Sequence, residues 1–222
     1  MPRGVGILGG TFDPIHLAHL RVAEEVREAE DLAEIRLVPA AVPPHKAGRA
    51  VTDAAHRLRM AQLAADGVPG FRVWDVELTR RGPSYSVDTL RTLRDELGAD
   101  ARVVFVLGRD AFADFATWRE PEAILGLADL VVVTRPPWPE TLRIADFPVA
   151  AQGALRYDPG SECIRHASGR RVRLLPITAL DVSATALRAR VAAGRSIRFL
   201  VPASVEDYIR RHRLYTEEDA AR

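Results

Sequence analysis

Short apolar runs alternate along this chain with longer segments whose apolar residues recur at helical spacing. The runs at Val5 to Leu8, Ile35 to Val38, Arg102 to Leu107, Leu130 to Val133 and Val172 to Leu175 predict strands, and the alternation from Phe71 to Leu78 predicts another. Between them, Leu17, Leu20, Ala23 and Val26 share one face of a predicted helix over 17–29, with Asp13-Pro14 as its capping residue and first-turn proline. Further helices are predicted over 52–65, 86–97, 183–193 and 202–212, and Gly194 is the stop of the helix over 183–193. One or two short helices, broken near Pro121, fit Asp110 to Leu125. Residues 136–171, rich in proline and glycine, predict an irregular excursion from a single domain. Strands alternating with helices imply an α/β fold, a mostly parallel sheet with helices on both faces.

Composition narrows the function classes. The 222 residues carry 31 basic and 30 acidic side chains, a net charge of +1, which argues against a chain built to coat nucleic acid or an anionic membrane. No apolar run reaches the roughly 20 residues needed to span a bilayer. One cysteine, Cys163, forbids an intrachain disulfide and fits the cytoplasm. Cys163 and His166 have C-x-x-H spacing without a second pair, and the arginines at 165, 170, 171 and 173 fit a solvated loop face. Lys46 is the only lysine, in the proline-rich segment Val42-Pro43-Pro44-His45-Lys46.

The densest chemistry follows the first predicted strand. Gly9-Gly10 would let the backbone approach a ligand closely, and the amides of the following helix start would favour an anion. His16 and His19, three residues apart, would share a helix face and suit phosphate contact. Neither GxxxxGK[ST] nor GxGxxG is present. A zinc site is the rival for the two histidines, but no third ligand is close in sequence.

The stretch Gly9 to Leu20 resembles the nucleotidylyltransferase signature GGTFDPxHxGHL, with Ala18 where glycine is usual. Over nearly its whole length the chain resembles the bacterial nicotinate-nucleotide adenylyltransferase family. Pro43-Pro44-His45-Lys46 resembles its PPHK element, and Ser84 to Thr89 its SYTxxT element. Gly108-Arg109-Asp110 with Trp118 resembles its GxD…W segment, Val182 to Arg188 its ISxTxIR segment, and Leu214-Tyr215 its ending.

The resemblance implies a Rossmann-like three-layer fold and transfer of the adenylyl group of ATP to nicotinate mononucleotide, with pyrophosphate leaving. It implies His16, His19, Lys46 and Arg188 as catalytic, and Gly9, Gly10, Thr11, Gly108, Asp110, Ser183 and Thr185 around ATP. It implies His45, Tyr85, Ser86, Trp118 and Arg135 around the mononucleotide, and a Mg²⁺ ion carried mainly by the ATP phosphates. Helix capping is an alternative for Asp110 and Ser183, a core position for Trp118, and an ordinary solvated charge for Lys46. Ala40 stands where the family often has an asparagine on the mononucleotide phosphate, so that contact is either lost or supplied by backbone or an arginine.

Overall fold

The computed structural model describes residues 4–41, 51–80, 82–134 and 141–216. Eight strands form one sheet: β1 (Gly4–Gly10), β2 (Leu32–Pro39), β3 (Phe71–Val73), β4 (Val103–Gly108), β5 (Asp129–Thr134), β6 (Leu155–Asp158), β7 (Cys163–His166) and β8 (Arg171–Pro176). Their order is β3-β2-β1-β4-β5-β8-β7-β6. All neighbours from β3 to β8 run parallel, and β7 and β6 continue the sheet antiparallel. The helices are α1 (Leu17–Ala29), α2 (Ala54–Ala65), α3 (Val76–Thr79), α4 (Ser86–Leu97), α5 (Arg109–Ala113), α6 (Pro121–Leu127), α7 (Val149–Gln152), α8 (Ala184–Ala192) and α9 (Ala203–Arg211).

Strand pleating divides the core in two. Val104 and Val106 of β4 and Val131 and Val133 of β5 face one layer, packed with Ala23 and Val26 of α1, Met60 and Ala61 of α2, Leu187 of α8 and Ile209 of α9. Phe105, Leu107, Leu130 and Val132 face the other, with Leu90 and Leu93 of α4 and Ile124 and Leu125 of α6. Both faces are covered, so β4 and β5 read as continuous apolar runs. This is the Rossmann-like α/β architecture expected from the sequence.

Three local expectations change. The predicted strand 71–78 stops at Val73 and gives way to the single turn α3. The nitrogen of Trp74 still donates to the Leu37 carbonyl at 3.0 Å, but the next donor on β2 would be Pro39, which has no N–H. The excursion 136–171 contains the β6–β7 hairpin at the sheet edge. Its strands have four residues each, carry Arg156 and Arg165, and turn at Asp158, whose carboxylate accepts from the Gly160 nitrogen and the Ser161 hydroxyl. Charge and brevity hid the alternation, as is common for edge strands. Finally, Asp13 does not cap α1. His16 is the N-cap, and Asp13 is buried in the turn before it.

Candidate active site

The strand order reverses between β1 and β4, and ligands of open α/β sheets gather at the carboxyl ends of the strands there. Two cavities open at this place, of about 650 and 380 Å³. They meet at Leu8, Gly9 and Gly108, at the ends of β1 and β4.

The larger cavity is lined by His16, His19, Arg109, Asp110, Ser183, Thr185 and Arg188. His16, at the N-cap of α1, is buried, and its ring stacks on that of His19 with centroids 3.7 Å apart. The His16 backbone nitrogen donates to Nδ1 of His19 at 3.2 Å. A neutral His19 therefore carries its proton on Nε2. Phe12 meets the His19 ring edge-on at 5.1 Å from a backbone φ of 50°, a left-handed conformation that a buried aromatic adopts only where its surroundings enforce it. Arg188 lies in the middle of α8 rather than at its start, and its Nη1 donates to the Asp13 carbonyl at 2.7 Å. Ser183 is the N-cap of α8, accepting from the Ala186 nitrogen at 3.2 Å, so its capping role is realised. Asp110 does not cap α5, whose N-cap is Gly108.

The smaller cavity is lined by Tyr85, Ser86, Trp118, Arg119 and Glu77, with Gly10, Thr11 and Ala40. Trp118 is half-buried and rests against Phe105 and Phe115, with centroids 6.3 and 5.7 Å away. The Arg119 guanidinium lies 4.8 Å from the centre of the Tyr85 ring. Gly10 and Thr11, expected beside ATP with the histidines, line this cavity instead. The Ala40 nitrogen bonds the Gly10 carbonyl at 2.9 Å and draws that part of the turn toward β2. Trp118 is thus a cavity wall on one side and a core residue on the other. Lys46, His45 and Arg135 lie outside the described residues.

Four lining or supporting groups were not legible beforehand. Arg109 sat unread inside the Gly108-Arg109-Asp110 motif, and Arg119 beside Trp118. Glu77 was hidden by the strand reading of 71–78. Arg57 in α2 is 1% exposed and donates only to backbone carbonyls: Thr11 at 2.8 Å, Ala40 at 2.7 Å, Ala41 at 3.2 Å and Thr52 at 2.8 Å. Its buried charge ties the turn after β1 to the chain leaving β2 and to the approach to α2. The Ala41 nitrogen in turn donates to Ser84 Oγ at 3.0 Å, which continues the tie to Tyr85 and Ser86.

Burial pushes the Glu77 carboxyl above the usual carboxylate range, against hydrogen bonds such as that from Thr89 Oγ1 at 2.7 Å. Folding therefore favours the protonated form. Its contribution to stability is fully present below the unfolded carboxylate value of about 4.3 and is lost as pH rises through the raised folded value. Glu77→Gln should raise the thermal midpoint relative to wild type at pH 8, and by less at pH 4. An equal difference at both pH values would contradict this.

The sequence model described as cytidylyltransferase-like matches residues 7–190, which sets the chain in that class of nucleotide-transferring proteins. A protein of Citrifermentans bemidjiense named "Probable nicotinate-nucleotide adenylyltransferase" is 46% identical, covering 96% of this chain and 98% of its own. One of the same name from Thermomicrobium roseum is 44% identical, covering 97% of this chain and 93% of its own. The chain belongs to the nicotinate-nucleotide adenylyltransferase family. The fold matches that of Plasmodium falciparum nicotinic acid mononucleotide adenylyltransferase complexed with NaAD, with a TM-score of 0.71 at 20% identity, covering 96% of this chain and 97% of that one.

Proposed function

We propose that this chain transfers the adenylyl group of ATP to nicotinate mononucleotide, giving nicotinate adenine dinucleotide and pyrophosphate. The observation that carries the reading is the pair of unlike cavities meeting at Gly9 and Gly108. One presents imidazoles and arginines, suited to a triphosphate. The other presents an indole, a phenol and the start of α4, suited to a pyridine ring. A phosphate oxygen of the mononucleotide would attack the α-phosphorus of ATP where the cavities join, and the bond to pyrophosphate would break.

A phosphate nucleophile is ionised at pH 7, so the protein need not take a proton from it. The work is alignment and charge neutralisation. In this reading His19, through Nε2–H, and His16 donate to phosphate oxygens. Arg188 and Arg109 bring positive charge to the same cavity, and Lys46 adds a cation on the family's pattern. Asp110, which lines that cavity, takes the ribose hydroxyls in this reading. Tyr85 and Ser86 at the start of α4, which line the smaller cavity, receive the nicotinate carboxylate in this reading. Arg119 lines the same cavity as Ala40 and is the arginine in its lining among the described residues, so it supplies the positive charge where the family's asparagine is missing.

Mg²⁺ is the expected companion of ATP. Asp110 is the only carboxylate lining the larger cavity among the described residues, a donor set that fits an ion held mainly by phosphate oxygens and water, where it would neutralise the triphosphate.

Pyrophosphate release from ATP and Mg²⁺ should be rapid with nicotinate mononucleotide and slower with nicotinamide mononucleotide. Phosphopantetheine should give none. Failure of both pyridine nucleotides would overturn the reading. Trp118→Ala should raise KM for the mononucleotide about tenfold and leave KM for ATP near wild type, on the scale of losing one aromatic stack. A rise confined to ATP in the same steady-state measurements would take Trp118 out of the pyridine subsite.

A further inference from the structure

The C-terminal segment reaches back across the whole chain to the turn that holds the histidines. Tyr215 is buried, and its hydroxyl donates to Oδ1 of Asp13 at 2.8 Å, a contact between residues 202 positions apart. Asp13 is itself 4% exposed. Its other carboxylate oxygen lies 3.4 Å from the Thr52 nitrogen and 3.8 Å from Nη1 of Arg188, and its carbonyl accepts from that same Nη1 at 2.7 Å. Asp13 therefore holds the Arg188 guanidinium by both backbone and side chain, while Tyr215 and Thr52 hold Asp13.

Backbone geometry adds an independent sign. Tyr215 has φ of 63° and Arg213 φ of 51°, a left-handed conformation that is unfavourable for a bulky aromatic and persists where surrounding contacts enforce it. Leu214, between them, is buried in the same core layer as α2 and α9. The chain is thus bent to bring the Tyr215 hydroxyl to Asp13. Burial also pushes the phenol far above its ordinary range, so it remains a hydrogen-bond donor at every working pH.

We propose that Tyr215 is a positioning residue for adenylyl transfer, setting through Asp13 the place of the Arg188 guanidinium in the larger cavity. It touches neither substrate; it limits the guanidinium to one orientation toward the phosphates. The inference rests on the adenylyl-transfer reading only for the identity of the substrates.

The test is a double-mutant cycle with steady-state kinetics in ATP and in the acceptor. Tyr215→Phe removes one hydroxyl from an otherwise unchanged side chain. It should lower kcat/KM for ATP about tenfold, the scale of one hydrogen bond to a charged group, and leave KM for the acceptor unchanged. In an Arg188→Ala background the same substitution should have almost no further effect. Leu214→Ala is the control: it removes core packing from the same segment without touching Asp13, and should lower the thermal midpoint while leaving kcat/KM for ATP near wild type. Equal losses from Tyr215→Phe in both backgrounds, or a matching kinetic loss in Leu214→Ala, would overturn the proposal. If the wild-type chain used a different acceptor, the cycle run with that acceptor would still decide it.

Discussion

His19→Ala should lower turnover about 10²–10³-fold, the cost of losing one preorganised donor to charge that develops in a transition state. Nδ1 of His19 accepts from the His16 nitrogen, so a neutral ring carries its proton on Nε2, and the residue lines the larger cavity. The ring is held between the His16 ring and the edge contact with Phe12. An imidazole fixed in this way loses little orientational freedom on meeting a phosphate, which is why its removal should appear mainly in kcat. Because Nδ1 makes the internal bond and Nε2 faces the phosphate in the proposed reaction, His19→Gln should restore only part of the activity, while His19→Asn, whose amide reaches only the Nδ1 position, should be no better than alanine. Near-wild-type turnover of His19→Ala in the pyrophosphate assay would remove the residue from the mechanism.

Gly9→Val should cost about 10²-fold or more in kcat/KM for both substrates, the penalty for displacing reacting groups by about 1 Å. A Cβ built at Gly9 meets no protein atom within 4 Å, so the larger side chain has room in the unliganded protein and the fold should tolerate it. The same open space is where the cavities join. Gly10 contrasts with it: a Cβ there would lie 2.7 Å from the Phe12 ring, so its glycine serves the packing of the turn. A Gly9→Val protein with a normal thermal midpoint and unaltered kinetics would show that substrates do not pass over this residue. A loss confined to one substrate would show that the cavities do not share it.

Much of this was legible in the chain because it depends on local pattern. The boundaries of α1 and α4 follow from apolar spacing, and both are found at the predicted residues. The strands β1, β2, β4 and β5 are apolar runs closed by glycine, proline or threonine-arginine, and they needed no tertiary information. The paired histidines and the Gly-Gly turn were visible for the same reason. The remainder depends on contacts far apart in sequence. Nothing local distinguishes Arg57 from the many surface arginines, since its meaning lies in carbonyls supplied by Thr11, Ala40, Ala41 and Thr52. Glu77 lies on α3, inside the stretch 71–78 whose alternation predicts a single strand, so its place in the smaller cavity is not a local property. The division of Gly10 and Thr11 from the histidines likewise required knowing that β2 lies beside the turn, where the Ala40 nitrogen meets Gly10.

In the proposed reaction two substrates meet in adjoining cavities and the adenylyl group passes directly between them, with no bond to the protein. Exchange of labelled pyrophosphate into ATP measures this most directly. With enzyme, Mg²⁺ and ATP alone there should be no exchange, and adding nicotinate adenine dinucleotide should switch it on, because the reverse reaction then has its adenylyl donor. Exchange at full rate without any pyridine nucleotide would reveal an adenylylated protein and contradict direct transfer.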